Sequence, residues 1–245
     1  MSVRGYLATI FHRTNVNLPD QIVFDVMYRY KLDPWFYYGV FKKRKKYYWN
    51  SWKSSFWLAR RLPRMSRILE TGCGPALNLI WFGQHGFRQL YGFDNDETAL
   101  MAGRELCEVA DVNVTLWLDN GIRPTSIPSI QFDAILALNW IYLDESFELG
   151  PYFNIYRKFL KPGGYIVIDI MDSSYSNVPN NQYLTSDWDK PESERRPSEY
   201  KKRYSMQQVV DEINLSGFEL IDTIPKSDTN FKKVYIIRNK LAKRK

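Results

Sequence analysis

Histidine and cysteine are scarce: the 245 residues include two of each. Cys73 lies between two glycines and Cys107 in a predicted helix, so neither a disulfide framework nor a cysteine-ligated metal is expected. His85 precedes Gly86 and reads as a helix C-cap, and His12 is a lone histidine near the N-terminus, so no metal centre is expected from this pair either. No stretch approaches the roughly 20 consecutive apolar residues of a membrane span. Residues 1–10 lack the continuous apolar core of a secretory leader, which leaves the cytoplasm as the expected location. There is no internal repeat. With 44% apolar residues, the chain can bury the core of one large α/β domain carrying an added terminal element.

The most informative stretch is Ile68-Leu69-Glu70-Thr71-Gly72-Cys73-Gly74-Pro75-Ala76. Residues 68–71 suit a buried parallel strand, and the glycine pair lets the backbone turn sharply and come close to a ligand. Pro75 is expected to open a helix over 76–86 whose first N–H groups face the anionic end of a ligand. A second strand over 89–93 leads to Asp94, twenty residues after Gly74, where a carboxylate would meet paired ribose hydroxyls. The third glycine of the dinucleotide fingerprint is missing, which argues against a pyrophosphate-binding dehydrogenase.

These residues resemble the class I S-adenosylmethionine-dependent methyltransferases, in which an acidic residue before Gly-x-Gly and an acid ending the second strand hold the cofactor. The match covers roughly 65–240. Residues 113–121 resemble the third strand with its terminal acid Asp119, and 132–140 the fourth strand, whose end faces the transferred methyl group. Leu160-Lys161-Pro162-Gly163-Gly164 resembles the turn before the fifth strand, expected over 165–169. Further helices are expected over about 20–32, 34–48, 50–61, 96–110, 147–160 and 206–216. The resemblance implies a Rossmann-like doubly wound α/β fold with a seven-stranded sheet in the order 3-2-1-4-5-7-6, the last strand antiparallel. It implies S-adenosylmethionine as cofactor, leaving as S-adenosylhomocysteine, held by Glu70, Gly72, Cys73, Gly74, Asp94, Asn95, Asp119, Asn120 and Asn139. It also points to methyl transfer catalysed with Asp144 as base beside Asn139 and Tyr142; Asp144 reads first as a helix-capping carboxylate before residues 145–147. The Asn/Asp-Pro-Pro-aromatic tetrapeptide of many nucleic-acid amine and glutamine methyltransferases is absent, Asn139-Trp140-Ile141-Tyr142 standing in its place.

Charge is uneven. Residues 1–67 carry 14 Lys/Arg against 3 Asp/Glu, while 68–245 carry 20 against 24. The first segment also holds 16 of the 39 aromatic residues, many of them around Lys42-Lys43-Arg44-Lys45-Lys46. The expected organisation is a basic, aromatic helical extension over 1–64, a methyltransferase domain over 65–240 with a lid-like insertion over 171–204, and a basic tail over 241–245. Tyr37, Tyr48, Trp52, Trp140, Tyr175 and Tyr183 are the candidate substrate contacts, with Asn181 and Trp188 beside them. The extension reads as the wall of a pocket for a small molecule or glycan precursor, neutral or anionic, accepting the methyl on oxygen or nitrogen. The runner-up is an RNA grip, which would make an RNA methyltransferase; a contact with an anionic lipid surface fits the same residues. A non-catalytic binding subunit on the same fold is the third reading.

Overall fold

The computed structural model describes residues 16–33, 53–225 and 231–240. Strands and helices alternate through most of it: β1 (Arg67–Thr71), α2 (Leu77–Gln84), β2 (Gln89–Asp94), α3 (Glu97–Val109), β3 (Thr115–Leu118), β4 (Phe132–Ala137), α4 (Leu149–Tyr156), β5 (Leu160–Met171), α5 (Met206–Leu215), β6 (Phe218–Ile224) and β7 (Lys232–Asn239). Helix α1 (Asp20–Arg29) and a helix over 53–59 precede them. The strands form one sheet in the order β3-β2-β1-β4-β5-β7-β6. Neighbours run parallel except around β7, which is antiparallel to both β5 and β6. This is the expected order and the expected antiparallel strand.

Strand alternation divides the core into two layers, because successive side chains point to opposite faces. Ile68, Ala134, Leu136, Val167, Val234 and Ile236 face one way and pack with residues of α1, 53–59, α2 and α3. Leu69, Ile135, Ala137, Ile166, Ile168, Tyr235 and Ile237 face the other and pack with residues of α4 and α5. Both faces are covered, which is why the central strands read as continuous apolar runs. Helix α3 starts on Asp96, whose carboxylate accepts the N–H groups of Thr98 and Ala99. Helix α5 starts on a reciprocal capping box between Ser205 and Gln208, as such sequences favour.

Two boundaries differ from expectation. Pro75 does not open α2: Ala76 takes a left-handed conformation at φ 57°, and the helix begins at Leu77. The Lys161-Pro162-Gly163-Gly164 turn does not precede β5 but lies within it. Leu160 already pairs with Phe132, and pairing resumes with Tyr165 opposite Ala134, so the turn is a bulge between two bridged positions. The insertion after β5 is folded on itself. It contains 3-10 turns at Ser173–Asn177, Thr185–Asp187 and Glu192–Glu194 and is joined by bridges Asp172–Tyr204 and Tyr183–Pro197. The expected helix over 34–48 and the start of that over 50–61 lie outside the described residues, as do His12 and 241–245. No helix among the described residues is long and apolar enough to cross a membrane.

Candidate functional site

The carboxyl ends of parallel strands leave a crevice where β1 separates strands that run out in opposite directions, and ligands of such sheets bind there. In this chain β2 and β3 lie to one side of β1 and β4 to the other. At that place is a cavity of about 240 Å³ lined by Gly72, Asp94, Asn95, Asn120, Gly121, Ile122, Trp140, Leu143 and Asp144. Residues after four different strands thus meet in one concave site.

The turn after β1 is shaped by backbone conformation. Gly72 and Gly74 stand at φ +64° and +51°, a region that side chains with a Cβ enter at a cost of roughly 1–2 kcal/mol. Gly72 also has a neighbour in the way: a Cβ there would stand 2.4 Å from the Trp140 indole. The far edge of the same indole lies against Gly121, where a Cβ would meet it at 2.7 Å. Trp140 therefore forms one wall between two glycines, and its Nε1 is buried with no hydrogen-bond partner among the described residues. Tyr156 holds the far side by donating from Oη to the Gly121 carbonyl at 2.7 Å.

Glu70 is buried at the end of β1. Oε1 accepts from Asn78 Nδ2 at 3.0 Å, and Asn78 Oδ1 accepts in turn from Ser55 Oγ at 2.7 Å. Oε2 is buried with no partner among the described residues. Burial, opposed by the Asn78 hydrogen bond and reinforced by the carboxylates of Asp94 and Asp169, pushes the Glu70 pKa up to about 8. Asp94 lines the cavity while accepting the N–H groups of Gly74 at 2.7 Å and Asp96 at 3.0 Å. Burial raises its pKa, against those two hydrogen bonds.

Asp119 anchors the loop after β3. Its carboxylate accepts N–H groups from Asn120, Thr125 and Ser126 at 2.8–3.1 Å, and it is not among the residues lining the cavity. Burial raises its pKa, but the backbone hydrogen bonds from Thr125, Ser126 and Asn120 outweigh that and leave it lowered. It organises the loop that presents Asn120, Gly121 and Ile122. Cys73 likewise points away from the cavity, its Sγ against Gly92, and burial lifts its thiol pKa far up, so it is an inert packing group. His85 caps α2 through Nδ1 to the Trp81 carbonyl at 2.7 Å.

On the acceptor side, Asp144 is exposed at the cavity rim, where Oδ1 accepts both the N–H and the hydroxyl of Ser146. Asn139 and Tyr142 do not line the cavity. They join a buried cluster with Asp169 and Lys232, two residues the sequence motifs did not flag. Tyr142 also meets Tyr200 edge to face, Tyr200 meets Tyr175, and Tyr175 meets Phe231. The insertion thus lays aromatic side chains beside the end of β4. Tyr183 is engaged inside the insertion, donating to Glu192 at 2.7 Å, Asn181 is buried and donates to the Tyr175 carbonyl, and Trp188 is exposed. Tyr37, Tyr48 and Trp52 lie outside the described residues.

Comparison with known proteins matches residues 68–164 to a family described as "Methyltransferase domain". A ribosomal protein L11 methyltransferase of Neisseria gonorrhoeae (strain ATCC 700825 / FA 1090) is 32% identical over 81 residues, 33% of this chain. The match spans about a quarter (26%) of that relative's length. Among solved structures, the PH0226 protein of Pyrococcus horikoshii OT3 superposes with a TM-score of 0.62 at 16% identity, covering 86% of this chain and 98% of that one. A magnesium protoporphyrin IX methyltransferase from Synechocystis PCC 6803 with bound S-adenosylhomocysteine gives 0.58 at 13% identity, covering 76% and 80%. At these identities the structural likeness speaks for the fold.

Proposed function

We infer that this chain, a class I S-adenosylmethionine-dependent methyltransferase by its fold and by the family of its residues 68–164, moves a methyl group onto an oxygen or nitrogen of a small molecule or glycan precursor. The observation that carries the reading is the 240 Å³ cavity at the strand ends, with Gly72, Asp94 and Asn95 on one side and residues 120–122 on the other. The donor set fits the cofactor. Glu70 is not among the residues lining the cavity, but the partnerless Oε2 of this buried carboxylate, two residues before Gly72, suits a cationic tail, because a nearby positive charge favours the carboxylate that burial disfavours. Asp94 and Asn95 suit ribose hydroxyls, and Trp140 and Ile122, both lining the cavity, offer apolar surface that suits a flat base.

When bound, S-adenosylmethionine supplies a methyl already activated on a sulfonium for in-line displacement. The chain's own work is to hold the acceptor in line and keep water out. Trp140, Leu143 and Asp144 form the wall toward the end of β4, and the Tyr142–Tyr200–Tyr175 group closes the neighbouring space. For a hydroxyl acceptor Asp144 is the base at the rim; an amine attacks first and loses its proton afterwards, so it needs no base during transfer. One fold neighbour is by name a magnesium protoporphyrin IX methyltransferase, which is consistent with a small acceptor.

The test is transfer of labelled methyl from S-adenosylmethionine into a cell extract, followed by nuclease, protease and size fractionation. Label in a nuclease-resistant, protease-resistant small fraction is expected; nuclease-sensitive label would assign RNA as substrate. Asp94→Ala is expected to weaken S-adenosylhomocysteine binding by about 2–4 kcal/mol, since two charge-assisted hydrogen bonds are lost. Calorimetric affinity unchanged from wild type would remove Asp94 from the cofactor site.

A further inference from the structure

We propose that Lys232 is a positioning residue of the cofactor cavity, fixing from the start of β7 the turn after β4 that forms the cavity's Trp140 wall. The inference rests on the cofactor reading of that cavity. Lys232 and Asp169 are nearly inaccessible, with side-chain exposures of 5% and 0%, and pair at 2.9 Å. Their register explains the contact: Asp169 and Met171 share a face of β5, and Lys232 stands opposite Met171, one diagonal step from Asp169. The Lys232 ammonium also donates to Tyr142 Oη at 2.9 Å and to Asn139 Oδ1. The Asn139 N–H donates to the other oxygen of Asp169 at 2.8 Å. Two strands thereby grip both ends of a four-residue turn.

The grip holds a strained residue. Asn139 stands at φ +69°, a left-handed conformation that asparagine enters more readily than most residues but still at a cost. Its conformation sets the direction of everything that follows. Trp140 goes to the Gly72–Gly121 seam and Leu143 and Asp144 to the rim, so three of the nine lining residues hang on this turn. Tyr142 goes the other way, into the aromatic group of the insertion. A buried ammonium–carboxylate pair is a poor source of stability compared with apolar residues of the same volume. What it supplies here is directional hydrogen bonds to a backbone that would otherwise relax. Lys232 is not among the residues lining the cavity, so its effect on ligand affinity is carried by the turn.

The experiment uses the full chain with S-adenosylhomocysteine as the probe and calorimetric affinity as the readout. The double variant Lys232→Met/Asp169→Asn removes the grip without leaving one buried charge alone and keeps an oxygen for the Asn139 N–H. It is expected to melt cooperatively and to bind the probe roughly 3- to 30-fold more weakly, the usual range for coupling through a non-contacting residue. A second pair separates turn geometry from loss of a side chain. Asn139→Gly and Asn139→Ala both lose the contact to Lys232, but glycine takes positive φ freely, so the alanine variant should bind at least threefold more weakly than the glycine one. Wild-type affinity in a cooperatively melting double variant, or equal affinities in the glycine and alanine variants, overturns the proposal. If the wild-type chain itself does not bind the probe, the cofactor reading fails, and this inference goes with it.

Discussion

At the scale of single residues, the site keeps an acid in the protonated form near neutral pH. Glu70 is buried with one carboxyl oxygen unpartnered, and its pKa stands at about 8 against an ordinary 4.5. The sign of the pH effect follows. Between those two values the folded chain holds a proton that the unfolded chain has released, so folding stability falls as pH rises through this window. At about 1.4 kcal/mol per pH unit the full effect is of order 5 kcal/mol, fully present below pH 4.5 and gone above about 8. Glu70→Gln keeps the shape and cannot ionise. Its melting temperature relative to wild type is therefore expected to climb from pH 5 to pH 9, by several degrees for a domain of this size. A constant offset between the two melting curves across that range would mean that Glu70 is ionised throughout. A bound cationic ligand should flatten the wild-type dependence, because it stabilises the carboxylate.

At the scale of elements, the insertion over 171–204 adds a charged clasp to its two bridges. Asp187 is buried and receives the Arg196 fork, Nε at 2.7 Å and Nη2 at 3.0 Å, the Arg196 N–H, and Lys190 at 2.9 Å. Hydrogen bonds from Arg196 and then Lys190 hold its carboxyl well below the usual range, so the clasp persists as pH falls past the point where exposed carboxylates protonate. Asp187→Ala is expected to leave the melting of the sheet domain within a few degrees of wild type while raising protease cleavage within 171–204 by about tenfold, as local opening without global unfolding does. Cleavage at the wild-type rate, mapped by mass spectrometry, would show that other contacts hold the segment. The strand order and the cavity residues nearest the motifs, Gly72, Asp94, Asn95 and Asn120, were legible because each depends on local pattern and on a known sheet order. The Lys161–Gly164 bulge was not, since pairing of Leu160 with Phe132 is a register fact. Nor was Lys232, which meets Asn139 across 93 residues; a lysine at the start of an apolar strand carries no local signal of what stands diagonally opposite it. Asp119 was legible as an acid at a strand end but not as a loop organiser, because the donors that claim it come from the turn after it.

For the whole molecule, the question is whether the basic extension is an appended arm or part of the domain. Its described parts answer through burial. Val16, Leu18, Val23, Val26, Met27, Leu58 and Ala59 are buried in the core layer over α2 and α3. Asn17 and Gln84 exchange hydrogen bonds between backbone and side chain, Arg29 pairs with Glu105, and Ser55 reaches Glu70 through Asn78. The six of these other than Ala59, at about 1.5–3 kcal/mol each, give roughly 9–18 kcal/mol of burial, an upper estimate. That is comparable with the whole net stability of a typical domain, about 5–15 kcal/mol. Deleting residues 1–60 is therefore expected to abolish cooperative melting and S-adenosylhomocysteine binding together, with no nucleic acid present. Loss of RNA binding in that deletion would carry no information about RNA. The informative change is to Lys42-Lys43-Arg44-Lys45-Lys46, replaced by glutamines in the full chain. If the acceptor is a small molecule, labelled transfer should keep its rate within about threefold and its salt dependence unchanged. Loss of the rate together with a shallower fall of activity with salt would instead mark phosphate contacts released by those five cations, since the salt slope counts the phosphates a protein neutralises.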